Sequence, residues 1–141
     1  MSENILHASA QSLGGYRVQC ESRGLSYFLD EPIDGGGTDT GMNPLESLMA
    51  SMAACKVITA RAAAPIRKID LIDIRIETDG EVGRNEEKRR QLLSITSRIY
   101  IKANNTKEEI EQFAAFVESR CPAHNTLLYG AEMKTEVVIE S

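Results

Sequence analysis

Two cysteines and one histidine are the side chains whose types and settings could carry covalent chemistry here. Cys55 lies in the run Asn43-Pro44-Leu45-Glu46-Ser47-Leu48-Met49-Ala50-Ser51-Met52-Ala53-Ala54-Cys55, and Cys121 opens Cys121-Pro122-Ala123-His124. The reactive form of cysteine is the thiolate, so its surroundings must favour that charge. Cys121 precedes a proline at an expected helix start, where backbone N–H groups and the helix dipole lower a thiol pKa. His124, in the next turn, offers positive charge or a proton shuttle. Cys55 is expected in the middle of a helix and needs a cation from elsewhere. Helical spacing turns Lys56 away from the Cys55 face, which leaves Arg17 and Arg23. Cys55 is otherwise a small hydrophobe in a core helix, and the residues alone do not show that the two cysteines meet.

Other chemistries fit less well. Cys121 and His124 have ligand-like spacing, but a closed zinc site wants four ligands, and Cys55 with a distant His7 completes it poorly. No metal and no cofactor is expected. No serine sits in a nucleophile-elbow motif. The run Asp34-Gly35-Gly36-Gly37-Thr38-Asp39-Thr40-Gly41 lacks the Gly-Lys-Ser/Thr of a phosphate-binding loop. It either lets a substrate approach the backbone or is a plain connector.

The elements that must position these residues follow from pattern and punctuation. Asn43, Pro44 and Glu46 write a helix start, and Pro65 writes its end, so a central helix is expected over residues 43–64. It is apolar on nearly every face and should lie in the core. Before it, an edge strand is expected near Ile5 to Ala8, then a hairpin of residues 16–21 and 25–29 around Ser22-Arg23-Gly24. Cys20 on this hairpin is read as a buried, inert thiol. Ile72, Ile74 and Ile76 alternate with polar residues, as do Leu93, Ile95, Ile99 and Ile101, giving two strands. The charged stretch 79–91 between them should be an exposed loop. Thr106 and Glu109 form a capping box for a second helix with a stripe of Ile110, Phe113, Ala114 and Val117. A short helix from Cys121-Pro122 to about Leu128 follows. Met133, Thr135, Val137 and Ile139 predict a final strand. The class is α+β, a single domain over 1–141: strands in 1–33, glycine loop 34–42, central helix 43–64 and a βαβ-type half over 66–141.

The 141 residues suffice for one domain with a real core. The formal charge of −5 argues against a nucleic-acid or anionic-membrane surface, since both need clustered Lys and Arg. No signal-peptide pattern is present, and the helix is too short and too interrupted by Lys56 and Arg61 to span a bilayer. A cytoplasmic, reducing setting is expected, where a disulfide is more often catalytic than structural.

The run Gly41 to Cys55 resembles the cysteine helix of the OsmC/Ohr family, and Cys121-Pro122-Ala123-His124-Asn125-Thr126-Leu127 resembles its second-cysteine motif. Asp30-Glu31-Pro32 is similar to the OsmC-like branch. The resemblance implies an intertwined homodimer in which antiparallel or mixed sheets wrap a central cysteine-bearing helix and a second helix. It implies a stress-response antioxidant oxidoreductase, a thiol peroxidase for organic hydroperoxides. Cys55 would become a sulfenic acid, Cys121 would condense with it to a disulfide, and a lipoyl-type dithiol would reduce the pair. The family's thiolate-stabilising arginine is assigned to Arg23, with Arg17 second. The family glutamate that holds the arginine directly follows the proline; here that position is Leu45. Glu46, one residue later and about 100° around the helix, either takes its place or only caps the helix. The alternative is a binding or sulfur-handling protein on the same fold, with a Cys55 persulfide or a small apolar ligand. Leu45, Met49 and Phe28 are the expected apolar lining for an organic substrate.

Overall fold

The computed structural model describes residues 1–140. The chain is mixed α+β, with three α-helices and two antiparallel sheets among the described residues. It divides into two compact units, residues 1–50 and 51 onward, with the boundary inside the longest helix.

In the first unit, β1 (Ser9–Ser12), β2 (Val18–Ser22) and β3 (Leu25–Leu29) form an antiparallel sheet in that order. Arg23 and Gly24 join β2 to β3 with φ of 55° and 81°. Positive φ at both central residues matches the twist of a two-residue hairpin, as the Arg-Gly pair suggests. The edge strand lies later than expected, at Ser9–Ser12 rather than Ile5 to Ala8. There it pairs with β2 from Ser9↔Glu21 to Ser12↔Val18. Cys20 is half-buried rather than buried.

The glycine-rich run is folded around Asp30, which is 2% exposed. Its carboxylate accepts from the Glu31 N–H at 2.8 Å, and from the N–H and hydroxyl groups of both Thr38 and Thr40. Gly37 is required by this closure, since a Cβ there would lie 2.1 Å from the Glu31 carbonyl oxygen. Gly41 has the same role against β3, where a Cβ would lie 2.5 Å from the Phe28 carbonyl oxygen. The loop is thus a locked turn leading to the helix.

Helix α1 (Pro44–Ala63) starts with the expected capping box. Asn43 Oδ1 accepts from the Glu46 N–H at 2.8 Å, and Glu46 Oε1 accepts from the Asn43 N–H at 2.9 Å. Its burial is less uniform than its composition suggests: Met52, Ala60 and Ala63 are buried, but Ile58 is 69% exposed.

In the second unit, β4 (Leu71–Arg84) and β5 (Arg90–Ala103) make a long hairpin. The charged stretch expected as a loop is mostly strand, and the turn is confined to Asn85–Arg89. Gly83 does not break the strand. A Cβ on it would lie 2.5 Å from Leu93 Cδ1, so its bare backbone makes room for a cross-strand leucine. Helix α2 (Lys107–Arg120) begins at the Thr106–Glu109 capping box and buries Phe113 and Val117. These join Ala60, Ala63, Ala64, Ile69 and Ile74 in the core. Each of the two buried α2 side chains contributes about 1.5–3 kcal/mol of burial. Helix α3 (Pro122–Tyr129) follows α2 after one residue, Cys121.

The expected final strand over residues 133–139 does not form. Alternation marks a capacity to join a sheet, but a strand needs a neighbour to take its backbone hydrogen bonds. No described strand pairs with this segment, and Met133, Val137 and Ile139 stand 83–90% exposed. No described helix is long and apolar enough to cross a membrane.

The Thr38 hydroxyl and the Glu31 N–H hold the Asp30 carboxyl well below the usual carboxylate range, Thr40 adds to them, and burial opposes. A depressed folded pKa adds stability that is present above the unfolded value, about 4, and is lost as pH falls. Asp30→Asn should therefore lower the thermal midpoint by several degrees at pH 7. It should also flatten the loss of stability between pH about 4 and 2, read by circular dichroism melts.

Candidate active site

Both cysteine-bearing segments lie where local sequence puts them. Cys55 is mid-helix in α1, free and half-buried. Cys121 is free, wholly buried, and is at once the C-cap of α2 and the N-cap of α3, with φ −75° and ψ 114°. Pro122 takes the first position of α3, where its missing N–H costs nothing. The Cys121 Sγ then accepts from the His124 N–H at 3.4 Å and donates to the Met52 carbonyl of α1 at 3.9 Å.

The structure places Cys121 against the turn of α1 that leads to Cys55: its Sγ reaches the carbonyl of Met52, three residues before Cys55, and the Cys55 thiol is among the groups that shift the Cys121 pKa. This contact is not derivable from spacing. The helix N-terminus is expected to lower the Cys121 pKa, and the net direction is the reverse. Burial pushes the Cys121 thiol up and outweighs the His124 N–H that pulls it down; the Cys55 thiol pushes it up further. Cys121 is therefore a protonated thiol at neutral pH. The half-exposed Cys55 is the one that a solute can reach.

A charged cluster that sequence reasoning missed stands beside Cys121. Lys56 is 1% exposed, and its Nζ donates to Glu118 Oε1 at 3.3 Å. His124 Nδ1 lies 3.8 Å from the same oxygen. In sequence, a lysine inside an apolar helix reads as an interruption on the far side, because its partner is 62 residues away and nothing local signals it. Lys56, Glu118 and His124 line a cavity of about 300 Å³. Its apolar wall is Met52, Leu92, Leu93, Ile95, Leu127 and Leu128. The expected lining is Leu45, Met49 and Phe28. Leu45 and Met49 are half-buried in α1, and Phe28 is 41% exposed on β3 beneath the Arg17 guanidinium, 4.2 Å from its ring centroid.

The remaining assigned residues belong to the first unit. Arg23 is exposed in the β2–β3 turn. Arg17 is half-buried, and its Nε is a buried donor with no hydrogen-bond partner among the described residues. Glu46 spends one carboxylate oxygen on the capping box. Among the described residues no three His, Cys, Asp or Glu side chains are grouped to hold a metal ion.

The chain resembles known proteins over most of its length. The family model described as OsmC-like protein matches residues 36–136. A hydroperoxide reductase of Mycoplasma pneumoniae is 34% identical over 101 residues, covering 71% of this chain and 72% of that protein. A hydroperoxide reductase of Mycoplasma genitalium is 35% identical over 108 residues, covering 70% and 71%. Among solved structures, an OsmC-like protein from Mycoplasma pneumoniae superposes with a TM-score of 0.82 at 28% identity, covering 90% of this chain and 89% of that one.

Burial as the main cause of the raised Cys121 pKa makes a direct prediction. In a Cys55→Ser variant, alkylation of Cys121 by iodoacetamide should still rise only above the ordinary thiol pKa of about 8.5. A profile with its midpoint below that value would show that the helix terminus wins after all.

Proposed function

The chain belongs to the OsmC-like family, and from that premise we propose that it is a cysteine peroxidase that reduces organic hydroperoxides with Cys55 and Cys121. The observation that carries the proposal is the placement of the buried Cys121 thiol on the Met52 carbonyl, one helical turn from the half-buried Cys55. The similarity to two hydroperoxide reductases supports the substrate class.

In the first step the Cys55 thiolate attacks the distal oxygen of the hydroperoxide. The O–O bond breaks, the alkoxide takes a proton and leaves as alcohol, and Cys55 becomes a sulfenic acid. In the second, the Cys121 sulfur displaces the hydroxyl from Cys55. The Cys121 proton leaves with that hydroxyl as water, and a disulfide remains. A raised pKa keeps Cys121 from competing for the peroxide, and Cys121 gives up its proton as it attacks. An external dithiol of lipoyl type then exchanges with the disulfide, restoring two thiols and becoming a cyclic disulfide.

Arg23 remains the assigned thiolate-stabilising residue. Arg17 is the stronger competitor by its surroundings, since a buried guanidinium nitrogen without a partner is a costly group to keep. Glu46 serves the helix cap, and its family role as arginine holder is the weaker part of the assignment. The protein acts as a homodimer. Support comes from the large apolar side chains exposed on one chain, among them Leu25, Ile33, Ile58 and Ile139. Sedimentation should give twice the chain mass, and a monomer at micromolar concentration would remove the dimer.

With cumene hydroperoxide and dihydrolipoamide, Cys55→Ser should lower turnover by at least about 10³-fold. Cys121→Ser should also stop turnover, yet consume one equivalent of hydroperoxide and leave a dimedone-reactive Cys55. Equal tolerance of both substitutions would overturn the mechanism.

A further inference from the structure

We infer that Lys56, Glu118 and His124 form a clamp that holds Cys121 against the turn of α1 that bears Cys55, with Lys56 and Glu118 as its positioning residues. Cys121 is the only residue between α2 and α3, and it caps both helices. Any change in the angle between them therefore pivots on the backbone that carries its thiol. Glu118 lies three residues before this pivot and His124 three after, and they meet across it at 3.8 Å. The same Glu118 oxygen takes the Lys56 ammonium at 3.3 Å. Lys56 is the residue next to Cys55 on α1, so the clamp ties the pivot to the helix that bears the other thiol.

The arrangement is a poor choice for stability alone. Lys56 is 1% exposed, while its carboxylate partner is 46% exposed and open to water. A well-packed apolar side chain of similar length would stabilise such a site at least as well. What the charged pair adds is direction: an ammonium and a carboxylate fix two helices at one distance, which an apolar contact does not. Cys121 itself makes two sulfur hydrogen bonds, 3.4 Å from the His124 N–H and 3.9 Å to the Met52 carbonyl. A thiol is a weak donor and a weak acceptor, so the ion pair supplies the stronger constraint.

The clamp deepens the proposed function, since it matters most if Cys121 closes the disulfide, but its test does not need peroxide. In a glutathione buffer the reaction is protein dithiol plus oxidised glutathione giving protein disulfide plus two reduced glutathiones. Its equilibrium constant measures the effective concentration of Cys121 at Cys55. Glu118→Gln and Lys56→Met should each lower that constant by roughly 10- to 100-fold, the cost of an ångström-scale misplacement. Lys56→Arg, which keeps the charge, should stay within about 3-fold of the native value. Folded content is checked by circular dichroism, and Glu118→Gln on a half-exposed carboxylate guards against a Lys56→Met variant that fails to fold. An unchanged constant in Glu118→Gln, or a loss in Lys56→Arg as large as that in Lys56→Met, would overturn the clamp. So would a native protein that forms no Cys55–Cys121 disulfide in this buffer. A native protein that forms the disulfide here but is inert to hydroperoxide would refute the peroxidase and leave the clamp standing.

Discussion

The burial of the Cys121 thiol is the constraint on which the chemistry depends. The thiol sits where α2 gives way to α3, under the Met52 carbonyl of α1 and beside Cys55. Exclusion from water keeps it protonated, although it caps a helix whose N-terminus would otherwise favour the thiolate. The two thiols thereby stand in different surroundings, Cys121 buried and Cys55 half-buried.

Local features of this fold are legible in the sequence. The boxes Asn43–Glu46 and Thr106–Glu109 need only residues three apart, and both form as read. The Arg23-Gly24 turn and the proline after Cys121 are equally local. The family likeness is legible too, because the two cysteine motifs lie in runs of consecutive residues.

What is not legible depends on distant partners. Asp30 enters the sequence reading only through the likeness of Asp30-Glu31-Pro32 to the OsmC-like branch, and its structural role comes from Thr38 and Thr40 folding back onto it. The available signal is the alternation of those threonines among glycines that allow so close a return. Lys56 looks like a misplaced charge until Glu118 supplies its counter-ion. The segment 133–139 errs in the other direction, since its apolar alternation describes one face of a sheet but not a neighbour to pair with. The charged stretch 79–91 reads as a loop for a similar reason: its strand character rests on cross-strand partners, as where Leu93 fills the space left by Gly83.

The central claim is that Cys55 and Cys121 are a redox pair driven by hydroperoxide. The most direct measurement is a peptide mass map of the reduced protein before and after one equivalent of an organic hydroperoxide. The account predicts one new crosslink, Cys55–Cys121, formed rapidly, with Cys20 left as a free thiol and the pair reopened by dihydrolipoamide. Unchanged thiols, or oxidation that falls on Cys20 instead, would contradict it.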